Sequence, residues 1–153
     1  EHQHTRLEAR GRPGHVAEYP NLIPAMRSRL VAAGAPWSME NVPGAPLEYL
    51  AMLCGSMFGL EVRRHRLFEC SFGLLAPACN HAAQVGSFPQ ATNRANRRKT
   101  VEVGVWRIPL EVQRRAMGID WMSIETLSQA IPPAYGEYIG RAALAAIDAR
   151  RAA

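Results

Sequence analysis

Alternating helix-type and strand-type periodicities predict an α/β fold for this chain of 153 residues. Three observations carry that reading. Leu22, Ile23, Met26 and Leu30 recur at helical spacing, and so does a longer apolar stripe near the C-terminal end. Between them lie short strand-like runs, from Trp37 to Val42, Tyr49 to Leu53 and Leu67 to Phe72, with Phe68, Cys70 and Phe72 alternating onto one face. The composition, 48% hydrophobic and 20% charged, is that of a globular chain rather than a disordered one.

The elements follow in order. Residues 1–18 are polar and basic, with His2, His4, His15, Arg6, Arg10 and Arg12 around two glycines and a proline, and read as an exposed loop. No Cys or carboxylate completes a ligand set with those histidines at the usual spacing, so no metal is expected there. In the first helix Pro24 occupies the first turn and Gly34 marks the end. The Trp37–Val42 strand runs into a Pro-Gly-Ala-Pro break at residues 43–46. Residues 76–100 change character, holding Gly, Pro, Asn and Gln with Arg94, Arg97, Arg98 and Lys99. Val101, Val103 and Val105 then alternate as a further strand. A helix starting at Pro109 stops near Gly118. Ser123 is placed as an N-cap, with Met122 and Leu127 spaced as a hydrophobic staple. Pro132-Pro133 opens the last helix, whose buried stripe is Tyr135, Tyr138, Ile139, Ala142, Ala146 and Ile147. Arg150 and Arg151 sit at its negative end.

The net charge of +5 and isoelectric point of about 9.6 suit a polyanionic partner. No apolar run reaches the ~18 residues of a membrane span, and no signal-peptide pattern opens the chain. Cys54, Cys70 and Cys79 are odd in number without a C-x-x-C pair and read as reduced thiols of a cytoplasmic protein. The chain opens on Glu1, not Met, which reads as a fragment or a processed product.

Three segments carry candidate chemistry. Met39-Glu40-Asn41-Val42-Pro43-Gly44 closes a strand, where an α/β sheet lines its ligand crevice. A carboxylate there is placed for acid–base work, although taken alone the segment is a strand end entering a turn. In the run from Phe58 to Phe68, Arg64 and Arg66 are two apart and share a face if the backbone is extended. Such a guanidinium pair can grip a carboxylate, a phosphate or a base edge; taken alone it is a solvated charge run. The third segment holds Arg107-Ile-Pro-Leu-Glu111, Met117-Gly118-Ile119, Gln129-Ala-Ile-Pro-Pro133 and Tyr138-Ile139-Gly140.

In this order the three segments resemble cytosine-5 DNA methyltransferases, especially the compact phage form. Leu53-Cys54-Gly55-Ser56-Met57-Phe58-Gly59 looks like the segment that follows the family's Glu-Asn-Val strand. Val62–Arg66 aligns with its Gln-x-Arg-x-Arg element, and the third segment with its Arg-x-x-Pro-x-Glu helix start and Gly-Asn-x-Val-Pro-Pro helix entry. Val62 replaces the family's Gln and Gln129 its Asn. The resemblance implies the C-terminal part of a Rossmann-like, S-adenosylmethionine-dependent methyltransferase fold with a short target-recognition insertion. Residues 1–75 would belong to the catalytic domain, 76–105 to target recognition, and 106–153 to helices returning to the catalytic domain. The glycine-rich cofactor loop and the Pro-Cys nucleophile loop have no counterpart in the sequence. The expectation is therefore a fragment, inactive alone, whose partners are double-stranded DNA and the missing N-terminal half, in a bacterial or phage-infected cell.

The resemblance also implies roles. A flipped cytosine would be attacked by a thiolate, while Glu40 hydrogen-bonds or protonates ring nitrogen 3 from a desolvated pocket. Asn41 would help hold the strand end or the loop bearing the cysteine. Arg66 would contact the base oxygen or the cysteine loop, and Arg64 would orient Glu40 or a phosphate. Gln129, Ala130 and Ile131 would border the cofactor, and Arg94, Arg97, Arg98 and Lys99 would contact DNA phosphates. Cys54 and Cys79 match ordinary positions of the compact form, and Cys70 reads as packing in a strand. Two other functions stay open at this stage: a basic DNA-binding remnant without catalysis, and a small α/β interaction module.

Overall fold

The computed structural model describes residues 20–84 and 100–152. The three expected strands near the middle of the chain form, as β1 (Ser38–Asn41), β2 (Leu50–Leu53) and β3 (Arg66–Cys70). They make one sheet in the order β1-β3-β2, with β3 antiparallel to both neighbours. β1 and β2 therefore point the same way without touching, and the chain crosses between them before β3 fills the gap. No parallel strand pair occurs among the described residues.

The register decides which side chains meet. Glu40 lies opposite Phe68 and Ser38 opposite Cys70, while Ala51 lies opposite Phe68 and Leu53 opposite Arg66. Because successive side chains alternate, Glu40, Arg66, Phe68, Cys70 and Leu53 share one face. Met39, Leu67 and Glu69 share the other.

Helices cover both faces. Helix α1 (Ile23–Ala32) brings Ile23 against Met39, Ala45, Leu47 and Leu67. Helix α4 (Pro133–Ala152) brings Tyr135, Tyr138 and Ile139 against Leu53, Phe68 and Cys70. Tyr135 is fully buried, whereas Tyr138, Ile139, Ala142, Ala146 and Ile147 are half-buried. The stripe thus lies on one side of the helix, but only its first turn is enclosed. The Tyr135 hydroxyl reaches the carbonyls of Arg63 and Arg64 at 3.2 and 3.0 Å, tying the helix to the chain entering β3.

A second core gathers Val62, Val101, Ile108, Ala116, Met117, Ile119 and Leu127 around α2 (Leu110–Met117) and α3 (Ile124–Leu127). Gly118 ends α2 in the left-handed region (φ 69°), where a glycine costs least. Ser123 caps α3 by accepting from the Thr126 amide at 3.4 Å, and Met122 packs in the same core as Leu127.

The strand expected over Val101, Val103 and Val105 does not form. A buried side chain takes the place of a ladder partner. Gln113 of α2 accepts from the Gly104 amide at 2.7 Å and donates to the carbonyls of Val105 and Ile108 at 2.9 and 2.7 Å. Gly104, at φ 83°, turns the segment out of extended geometry. The alternating valines instead point into the second core as a loop.

Candidate functional site

The end of β1 and the start of β3 bring Glu40 and Arg66 together. Arg66 Nε lies 3.0 Å from Glu40 Oε1, a diagonal cross-strand contact that follows from the register. Arg66 also donates through Nη1 to the His65 carbonyl at 2.9 Å. Asn41 turns its side chain back on the strand end, where Oδ1 accepts from the Val42 amide at 2.8 Å. That contact starts the turn into residues 43–46.

The desolvated pocket expected around Glu40 is not built by the described residues. Its side chain is 38% exposed, because β1 is an edge strand with no described element beyond it.

Arg64 does not share the work of Arg66. Its φ of 39° breaks the extended backbone on which a common face depends, and β3 begins only at Arg66. Arg64 instead donates through Nε to the Ala130 carbonyl at 2.6 Å and through Nη2 to the Ser128 carbonyl at 2.5 Å. Burial, with Arg66 nearby, lowers its proton affinity to a pKa of about 10. It clamps the connection between α3 and α4 to the chain entering β3.

That clamp bears on the expected cofactor residues. The Ala130 carbonyl is engaged by Arg64, Ile131 packs among the residues around Tyr135, and Gln129 is exposed. Arg94, Arg97, Arg98 and Lys99 lie outside the described residues, as do His2, His4 and His15.

A second constellation was not anticipated by the sequence reading. Cys54, at the end of β2, His65, just before β3, and Cys79 and His81, in the loop after β3, bring four ligand atoms within 4.8 Å of one another. Cys54 Sγ lies 3.3 Å from His81 Nε2, and Cys79 Sγ lies 3.5 Å from His65 Nε2. The two imidazoles sit edge to face, with ring centroids 5.2 Å apart.

Local structure fixes each donor. Cys54 is fully buried and precedes a 3-10 turn, Gly55–Phe58. Gly55 is needed there because an added Cβ would fall 2.0 Å from the Val62 carbonyl oxygen. That close approach lets the Gly55 amide donate to the Arg63 carbonyl at 2.7 Å, which draws His65 towards Cys54. Ser56 Oγ donates to Cys54 Sγ at 3.2 Å and accepts from the Asn80 amide at 3.1 Å, between the two loop donors. Burial, with His81 and Arg63 adding repulsion, holds His65 below the ordinary imidazole value. Burial and the neighbouring Cys54 push the Cys79 thiol up.

The legible sign of this set was the pair Cys79-x-His81. Its other half, Cys54 and His65, is separated by ten residues and by the fold of the 3-10 turn, a spacing no short motif captures. Cys70 stays apart, donating to Ser38 Oγ at 3.3 Å across the sheet, and its thiol is pushed up chiefly by burial.

Fold and site together define a small chain of mixed helices and antiparallel sheet with two polar constellations flanking the start of β3. No family model, no curated protein and no solved structure matches it. No helix among the described residues is long and apolar enough to cross a membrane.

Proposed function

We propose that this chain supplies the base-gripping part of a DNA (cytosine-5-)-methyltransferase. The observation that carries the reading is the 3.0 Å contact between Glu40 and Arg66. Two residues 26 positions apart, chosen from motif order alone, lie side by side on one sheet face. In this role the Glu40 carboxyl shares a proton with ring nitrogen 3 of a flipped cytosine, itself an acceptor, where charge builds during attack on the ring. Arg66 carries five N–H donors in a rigid fork, so it can hold Glu40 and the base oxygen together. A base seated there would exclude water from the pair and strengthen both contacts. Asn41 keeps the strand end in its turn.

This reading has the nucleophilic thiol and the S-adenosylmethionine site supplied by other residues than those described, and among the described residues β1 is an edge strand on which further strands could add. Double-stranded DNA is the partner this reading requires, and the basic balance of the chain suits it.

The test is expression of the native locus in a host without cytosine methylation, with 5-methylcytosine in genomic DNA read by mass spectrometry. The expected result is methylation that falls by about 100-fold or more in Glu40→Gln, the scale of losing one aligned transition-state hydrogen bond. An absence of 5-methylcytosine, or equal levels in both strains, would overturn the proposal.

A further inference from the structure

We propose that Cys54, His65, Cys79 and His81 form a closed tetrahedral zinc site that staples the loop after β3 to the sheet. This inference stands apart from the methyltransferase reading and holds whether or not that reading does.

The spacing of the donors is that of ligands around one small cation. With Zn–S near 2.3 Å and Zn–N near 2.0–2.1 Å, a tetrahedron has S···N edges of ~3.5 Å, S···S edges of ~3.8 Å and N···N edges of ~3.3 Å. Two of the four S···N distances are 3.3 and 3.5 Å, and no pair of ligand atoms exceeds 4.8 Å. The set needs only small shifts to close on an ion.

The chemistry of the donors selects the metal. Two thiolates and two imidazoles are a soft to borderline set that favours zinc over calcium or magnesium, which take oxygen. Two thiolates also balance the charge of Zn²⁺, so the filled site adds no net charge beside Arg63, Arg64 and Arg66. Four protein ligands leave no open position, which is the pattern of a structural centre rather than a hydrolytic one. Ser56, donating to Cys54 Sγ at 3.2 Å, supplies the outer hydrogen bond that orients such a ligand.

The fold gives the ion a purpose. Residues 71–84 contain no helix or strand, and Leu75 is 88% exposed. The loop is held by scattered contacts: the Tyr138 hydroxyl on the Leu75 carbonyl, the Asn80 amide on Ser56, and the Gln84 amide on the Leu60 and Val62 carbonyls. An irregular segment of that length inside a compact unit calls for an anchor. Zinc bound to Cys79 and His81 would fix the loop to the end of β2 and the start of β3.

The experiment uses the full chain, freed of metal by chelation under reducing conditions and titrated with Co²⁺ alone, then with Zn²⁺ alone. The expected result is one equivalent bound, with the visible absorption of tetrahedral Co²⁺ and a thiolate-to-cobalt charge-transfer band that Zn²⁺ abolishes. Cys70→Ser and the triple variant His2→Ala, His4→Ala, His15→Ala should leave the spectrum unchanged. Cys79→Ser and His81→Asn should weaken binding by more than the ~10–100-fold typical of an outer-sphere change. If those variants fail to fold, the wild-type spectrum alone decides, because the charge-transfer band reports bound thiolate directly. A cobalt complex without that band, binding lost only with the N-terminal histidines, or no stoichiometric binding would each overturn the zinc site.

Discussion

Strand β3 carries an ion pair on each face, and the two are built differently. On the α1 face, Glu69 is almost wholly enclosed, its side chain 4% exposed. Arg27 donates to both of its oxygens, through Nε at 2.6 Å and Nη2 at 2.8 Å, and the Glu48 amide adds a third donor at 2.8 Å. On the α4 face, Glu40 meets Arg66 in a contact at 3.0 Å and stays 38% exposed. The first carboxylate is saturated by its own protein and holds a helix to the sheet. The second remains open to an incoming hydrogen-bonding group. Two Glu–Arg pairs, each with one member on β3, thus divide between architecture and candidate chemistry, and degree of enclosure separates them.

The largest effect should come from breaking the saturated pair. Glu69→Ala leaves Arg27 and the Glu48 amide without their acceptor, and the loss of charge-assisted hydrogen bonds should cost roughly 2–3 kcal/mol. Urea denaturation followed by circular dichroism measures it. The same pair predicts an acid limb. Hydrogen bonding from Arg27 holds the Glu69 carboxyl below the usual carboxylate range. A depressed folded-state pKa contributes stability that is full above the unfolded value near ~4.3 and is lost as pH falls through the folded value. Stability of the wild type should therefore decline below about pH 4.3. Glu69→Gln, which cannot titrate, should show a shallower decline, and identical slopes would deny the pair its role.

Arg64 sharpens the contrast from the same stretch of chain. Its side chain spans 64 to 66 residues of sequence to reach the Ala130 and Ser128 carbonyls. Arg64→Met keeps the stem and removes both donors, which should cost about 1–2 kcal/mol. The loss should show in thermal melting of the chain. A stability change no larger than that of an exposed substitution would place Arg64 with Arg66 as an available group rather than a clamp.

What the sequence disclosed follows the range of the interactions involved. Local rules placed the strands at Glu40, Ala51 and Phe68, the glycine stop at Gly118 and the cap at Ser123, because each depends on a few neighbouring residues. Motif order grouped Glu40 with Arg64 and Arg66 and assigned the orienting of Glu40 to Arg64; the register of two short strands puts Arg66 beside it instead. The valine run at 101–105 misled because its periodicity carries no information about a partner, and Gln113 supplied one from a helix. Arg64 misled because alternation assumes an extended backbone that its positive φ interrupts. The Cys/His cluster was hidden for the opposite reason: its donors come from a strand end, a strand start and a loop, so only the tertiary fold brings them within a few ångströms.

The smallest effect is the most discriminating. Removing the charge of Glu40 by Glu40→Gln breaks an ion pair open to solvent, where such pairs contribute between about 0 and 1 kcal/mol because water screens them and long side chains lose freedom in forming them. The amide keeps the size of the carboxylate and can still accept from Arg66, so the expected loss is about 0.5 kcal/mol or less. Measured beside Glu69→Gln in the same buffer, the two variants ask one question of both faces of β3. A large loss at Glu69 and a negligible one at Glu40 is what a structural pair and an available pair require. Equal losses would make Glu40 part of the scaffold rather than a group left open for a base, even if Arg66 still touched it.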